Sequence, residues 1–279
     1  MQGRVLIIAG SDSGGGAGIQ ADIKTVTALG GFAMTAITAL TAQNTQGVHA
    51  IHEVPEDFIA RQIDVVLDDI GADAIKVGML HRAGVIYAVA DALERADSSI
   101  PLVLDPVMVA KGGHALLEPD AVEALEKRLL PRATLITPNV PEAEALTGIK
   151  IDSVADFGPV GDKLLRLGAH AALIKGGHMD EDAAQNGGMV TDVLWREGAR
   201  MEIFEGPRID SRHTHGTGCT LASAIACGLA QGLDLVAAIK RAHAYVREAI
   251  LSAPGYGAGH GPLNHGHTVA PFGAPFTRS

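Results

Sequence analysis

The sequence predicts an α/β fold with a mainly parallel central sheet and helices on both of its faces. Short apolar runs recur along the 279 residues, each followed by glycine or polar residues and then by a helical pattern. The runs are uniformly apolar rather than alternating, as strands covered on both faces should be. One late pair of runs, joined across Glu197-Gly198, has the spacing of an antiparallel hairpin.

In order, residues 5–9, 33–40, 74–78, 102–104, 135–137 and 171–174 read as strands. Helical patterns fill the gaps at 56–69, 85–95, 120–129 and 154–167. The hairpin takes residues 190–195 and 200–204. A small-residue helix follows from Thr220 to Ala230. The last helix, 235–251, sets Leu235, Ile239, Ala242 and Val246 on one face. No linker or internal repeat is visible, so residues 1–267 read as one domain and 268–279 as a mobile tail.

Composition narrows the function. Hydrophobic content is 47% against 19% charged, which supports a large core. A formal net charge of −10 argues against nucleic acid and anionic membranes as partners. No signal peptide and no apolar run of transmembrane length is seen. Cys219 and Cys227, the two cysteines, stand eight residues apart on one helix. That separates them by roughly 12 Å, too far to bridge, and reduced thiols fit the cytoplasm.

In an open sheet of this kind, ligands bind outside the carboxyl ends of the strands. The richest segment there is Thr214-His215-Gly216-Thr217-Gly218-Cys219, a glycine turn running into a helix. The N–H groups of such a helix start form an anion cradle, and the helix dipole favours negative charge. Gly216, Thr217 and Gly218 are therefore the expected anion hole. Cys219 stands in the first turn, where thiolate is stabilised and a thiol pKa falls.

Other strand ends add partners. Gly14-Gly15-Gly16-Ala17-Gly18 follows the first strand and fits G-x-G-x-x-A from Gly16. No acid follows at residues 39–43, which weakens a dinucleotide reading, and Gly16 stands where a P-loop needs lysine. With Asp12 before it and Asp22 after it, the loop reads as a substrate loop. Asp105 and Glu142 are carboxylates on the rim and suit Mg²⁺, though a first-turn charge alone explains Glu142. Lys175 can reach phosphates as a point charge. His213-x-His215 and His265-x-His267 lack a third ligand at zinc spacing.

Gly10 through Asp22 resembles the N-terminal signature of the hydroxymethylpyrimidine/phosphomethylpyrimidine kinases of thiamine biosynthesis, in the ribokinase-like superfamily. Residues 42–45, 76–80, 105–111, 137–139, 175–178, 214–220 and 259–265 match in order. The resemblance implies a ribokinase-like three-layer sandwich, and a homodimer. It implies ATP and Mg²⁺ as cofactors and a pyrimidine alcohol as substrate. Gly10, Asp22, Gln43, Met79 and Val107 match pyrimidine-pocket positions, with Asp22 and Gln43 on the aminopyrimidine edge and Met79 and Val107 on the ring faces. Asn139, Glu142 and Lys175 match the nucleotide–magnesium side, and Cys219 the catalytic position. Gly112-Gly113-His114 departs from the family's Ser-Gly-Asp.

The implied activity is phosphorylation of 4-amino-5-hydroxymethyl-2-methylpyrimidine and then of its monophosphate. Three rivals remain at this stage: a pyridoxal or pyridoxine kinase, a nucleotide-binding sensor without turnover, and a Rossmann oxidoreductase.

Overall fold

The computed structural model describes residues 2–109, 116–177, 188–199, 201–270 and 272–273. The Gly112-Gly113-His114 departure, Ala110, Lys111 and His178 lie outside the described residues, as do 271 and 274–279 of the expected tail. Thr268, at the start of that tail, donates its hydroxyl to Ala28 O at 2.8 Å.

The elements run β1 (Arg4–Asp12), α1 (Gly18–Ala28), β2 (Phe32–Asn44), β3 (Gly47–Glu53), α2 (Glu56–Asp69) and β4 (Ala74–Val77). Next come α3 (Ala83–Glu94), β5 (Leu102–Leu104), α4 (Pro119–Arg128), β6 (Leu135–Ile136), α5 (Val140–Thr147) and α6 (Phe157–Arg166). The chain continues through β7 (Ala171–Lys175), β8 (Met189–Arg196), β9 (Glu202–Pro207), α7 (Thr217–Ala230) and α8 (Leu235–Leu251).

The strands form one sheet in the order β3-β2-β1-β4-β5-β6-β7-β8-β9. From β2 to β7 every neighbouring pair is parallel. β3 is antiparallel to β2, and β8 and β9 form the expected antiparallel extension. Two cores flank the sheet. Leu6 and Ile8 of β1 point into one, with Ile59, Val85, Ala121, Ala143 and Phe157 from α2 to α6. Val5, Ile7 and Ala9 point into the other, with Ile19 of α1, Ala222 of α7 and Ile239 of α8. The uniformly apolar β1 is thus explained, since both of its faces are covered.

Two details differ from the sequence reading. β3 was not expected, because only Val48 among its residues is buried and an edge strand so exposed carries no apolar signal. On α8 the buried stripe is Ala238, Ile239, Ala242, Tyr245 and Ala249, with Leu235 and Val246 on its flank.

The chain leaves β1 toward β2 and leaves β4 toward β5, so the connections diverge between these two neighbours. A ligand crevice is expected outside their carboxyl ends. The loop before α7 reaches that same end of the sheet.

Candidate active site

On the β1 side, Asp12 organises the glycine loop. Its carboxylate accepts the N–H groups of Gly14, Gly16 and Ala17 at 2.8, 3.1 and 2.8 Å. His215 Nε2 lies 2.9 Å from Asp12 Oδ2. Burial pushes the Asp12 carboxyl up, but His215 and these N–H groups outweigh it and hold it below the usual range. Gln43 lies beside this pair, with its amide 3.3 Å from His215 Nε2 and 3.1 Å from Thr41 Oγ1. The Thr41 hydroxyl spends its proton on Ser11 O at 2.8 Å. With the amide nitrogen turned to Thr41, the amide oxygen shares with Asp12 the single Nε2 proton of His215.

Next to Gln43 is an apolar wall. Met79 joins Ala39, Val48 and Leu116, with Val107 packed against them. Gly10 has no side chain to intrude, and a Cβ there would lie 3.2 Å from Met79 Sδ. Four of the five expected pyrimidine residues (Gly10, Gln43, Met79 and Val107) therefore gather at the diverging strand ends.

Asp22 does not join them. It is fully buried beneath the site, with Oδ2 2.9 Å from Lys76 Nζ and Oδ1 accepting Ser223 Oγ at 2.7 Å. The expectation that Asp22 touches the pyrimidine edge is corrected: both of its oxygens are engaged inward, away from solvent. Burial raises its pKa, with Lys76 and Ser223 opposing.

On the β5–β7 side, Asp105 Oδ1 accepts Thr137 Oγ1 at 3.0 Å and Lys175 Nζ at 3.1 Å. Burial lowers the Lys175 pKa, but Asp105 and Glu142 outweigh it and raise it. Asn139 and Glu142 form a capping box on α5: Asn139 Oδ1 accepts Glu142 N–H and Glu142 Oε2 accepts Asn139 N–H. The plainer reading of Glu142 as a first-turn charge is therefore also true of it. Burial lifts its carboxyl to about 7, against the pull of Lys175 and with the push of Asp105. Two carboxylates thus share one ammonium. Such a pair suits Mg²⁺, which takes one or two protein carboxylates and fills its shell with water and phosphate. Among the described residues, no group of three or more His, Cys, Asp or Glu could hold a metal unaided.

Between the two sides stands the N-terminus of α7. Gly216 caps it with φ 85°, a left-handed conformation that favours glycine, and a Cβ there would collide with Gly16 O. The Thr217 N–H turns to Thr214 O at 3.4 Å, which leaves Gly218 and Cys219 as the more open donors. A Cβ on Gly218 would lie 3.3 Å from Lys175 Nζ and 3.6 Å from Asp105 Oδ2, so the cradle adjoins the charged cluster. Cys219 is half-buried, and the Gly18 N–H approaches its sulfur. Its thiol differs from the helix-dipole expectation. Burial pushes it up to about 11; Lys76 and Gly18 pull it down while Asp22 and Asp105 push it further.

A strap from residues 259–265 fastens these loops. His215 N–H donates to Gly261 O at 3.1 Å and His260 N–H to Thr45 O at 2.8 Å. His265 is buried, which lowers its pKa to about 4 and keeps the ring neutral. Thr220 Oγ1 donates to Gly216 O, so its 3.0 Å contact with His265 Nε2 makes the imidazole the donor. Tyr245 OH donates to His265 O at 2.6 Å. The C-terminal histidines left unassigned by sequence thus include a structural one.

A profile of the family described as phosphomethylpyrimidine kinase matches residues 12–264. The chain belongs to the phosphomethylpyrimidine kinase family. It is 52% identical over 264 residues to the thiamine biosynthesis bifunctional protein ThiED of Geobacter sulfurreducens, covering 95% of this chain and 52% of that protein. The chain therefore spans about half the length of that relative. It is 47% identical to the hydroxymethylpyrimidine/phosphomethylpyrimidine kinase of Streptomyces coelicolor, covering 94% of each. Among solved structures, the pyridoxal kinase of Staphylococcus aureus in complex with AMP-PCP and pyridoxal superposes with a TM-score of 0.84 at 34% identity, covering 95% of this chain and 94% of that one. The fold is ribokinase-like, and the enzyme is a phosphotransferase.

Sequence reasoning gave no role to several residues that stand against the expected ones. Thr137 lies beside Asp105, Ser223 beside Asp22, and His265 beside Thr220. The strongest overlooked signal was Lys76, a lysine inside an otherwise apolar strand whose four residues are all buried.

Proposed function

We propose that this kinase transfers the γ-phosphoryl group of ATP to 4-amino-5-hydroxymethyl-2-methylpyrimidine, and then a second one to the monophosphate, in thiamine diphosphate biosynthesis. The reading is supported above all by one juxtaposition. Gly218 adjoins Lys175 and Asp105, and the next residue, Cys219, adjoins the glycine loop at Gly18. A phosphoryl group in the α7 cradle would sit between a charged cluster and the glycine loop that leads to the apolar wall.

The residues then take these parts. Met79 and Val107 pack on the ring and Gln43 hydrogen-bonds its edge. Lys175 and Asn139 serve the nucleotide side. Asp105 and Glu142 would hold Mg²⁺, which supplies charge neutralisation between phosphates when bound. The N–H groups of Gly218 and Cys219 meet charge as it spreads onto the equatorial oxygens. Cys219 Sγ, in its thiolate form, takes the proton from the hydroxymethyl oxygen. In the second step the acceptor is already an oxyanion, so charge neutralisation replaces base catalysis.

The likeness to a structure solved with pyridoxal favours a second reading, a vitamin B6 kinase. A phosphorylation assay with ATP and Mg²⁺ decides, with hydroxymethylpyrimidine, its monophosphate and pyridoxal ranked by kcat/KM. Pyridoxal ranking first would install the second reading. ATP left unconsumed with all three would leave a nucleotide sensor. We also propose a homodimer in the cytoplasm, in keeping with two unbridged thiols on α7. Light scattering of the purified chain tests the dimer. Among the described residues, no helix is long and apolar enough to cross a membrane.

A further inference from the structure

Lys76 is among the largest fully buried side chains of the described residues, and it carries a charge. It stands on β4 in the middle of the sheet, between Ile75 and Val77. Its ammonium has three N–H donors. Among the described residues Asp22 is its one hydrogen-bond partner, at 2.9 Å. Room for the head group is made by Gly78, where a Cβ would come within 2.7 Å of Nζ. A buried ion pair is weak evidence for stability, because an apolar pair of similar volume is often as good or better. The lysine therefore needs another reason to be there.

The layout gives one. Ser223 bonds the other oxygen of Asp22 at 2.7 Å. Ser223 stands four residues after Cys219 on α7, so the two lie on the same helix face. The ion pair thus lies under the face that carries the thiol. The groups that bear on Cys219 are Lys76 from β4, Asp22 and the Gly18 N–H from α1, and Asp105 from the end of β5. Lys175, on β7, faces the neighbouring Gly218. His215, earlier on the same loop, is turned to Asp12.

We propose that Lys76 is a positioning residue for this site: clamped by Asp22, which Ser223 ties to α7, its ammonium is the fixed counter-charge for a negative Cys219 sulfur. The inference deepens the proposed role of Cys219 and rests on it. Lys76 is the largest influence that draws the thiol pKa down, against the burial that pushes it up. Asp22 acts on the thiol with the opposite sign. The two members of the pair should therefore move the sulfur in opposite directions when neutralised, which a purely structural ion pair would not do.

The test is the rate of iodoacetamide alkylation at Cys219, followed by mass spectrometry of its peptide from pH 7 to 10. An opposite charge at close range shifts a pKa by about one unit or more, and each unit is about tenfold in thiolate. Lys76→Met should slow alkylation by about tenfold or more at pH 8, Lys76→Arg should restore most of the rate, and Asp22→Asn should speed it. Should Lys76→Met fail to fold, Asp22→Asn/Lys76→Met removes both charges, and it should react about tenfold more slowly than Asp22→Asn alone. The proposal is overturned by Lys76→Met reacting at the wild-type rate, or by Lys76→Met and Asp22→Asn changing the rate in the same direction. It is equally overturned by the double variant matching Asp22→Asn. The readout needs no turnover, so it stands apart from the kinetic test of Cys219 as a base.

Discussion

His215 Nε2 and Asp12 Oδ2 lie 2.9 Å apart across 203 residues of chain. The bond ties the glycine loop after β1 to the turn that opens α7. Tight backbone contacts reinforce it. A Cβ on Gly16 would strike the His215 ring, and one on Gly216 would strike Gly16 O. Two loops of the candidate site are thereby kept in fixed relation.

His215→Ala should therefore loosen substrate binding and stability together. It leaves the buried Asp12 carboxylate without its ring partner, at a cost of about 1–3 kcal/mol. Gly216→Ala adds a left-handed backbone penalty to a backbone collision and should cost about as much or more. Thermal denaturation and the KM for the pyrimidine measure both effects. Unchanged melting in both variants would refute the fixed-loop account.

Cys219→Ala should lower kcat for the alcohol by about 10²–10⁴, the usual worth of general-base help. It should harm phosphorylation of the monophosphate less, since that acceptor has no proton to give up. Lys175→Ala should impair both steps. Steady-state kinetics on the two acceptors separates these outcomes, and equal losses at both steps in the cysteine variant would contradict the base role.

The first step should also quicken with alkali. The thiol is raised to about 11, so at pH 7 it is almost wholly protonated and its thiolate fraction grows about tenfold per pH unit. A log–log slope near one between about pH 7.5 and 9.5 is expected for the alcohol, and a flatter profile for the monophosphate. A flat profile for both substrates would remove Cys219 from proton transfer.

Glu142 gives a pH signature in stability. Its carboxyl rises from an ordinary 4.5 to about 7 on folding. The folded chain thus holds the proton more tightly than the unfolded one. Its contribution is fully present below about pH 4.5 and is lost as pH climbs through about 7, a change of about 3 kcal/mol at most. Urea unfolding without nucleotide should weaken across that window, and Glu142→Gln should flatten the trend. A Glu142→Gln curve parallel to the wild type would show that another group carries it.

Much of the fold was legible because strands buried on both faces announce themselves by composition, as β1 and β4 do. β3 was not, since one buried residue makes no pattern. The grouping of the candidate site was legible wherever a glycine turn or a rim charge marks a strand end: Gly216 to Cys219, Asp105, Lys175. Asp22 misled for a physical reason. Position on α1 places it near the rim, but only three-dimensional packing shows that Lys76 draws it inward. The thiol misled in the same way, because the favourable helix dipole is outweighed by burial beside two carboxylates.

The strap at residues 259–265 carries a consequence for biosynthesis. A ribosome that has released residues 1–255 has released every strand and helix named above, yet not the peptide that pins His215 and sets His265 against Thr220. Nascent chains can thus acquire their layered framework before residues 259–265 arrive, and competence to turn over only after. A chain truncated just before residue 259 should accumulate as protein and be idle.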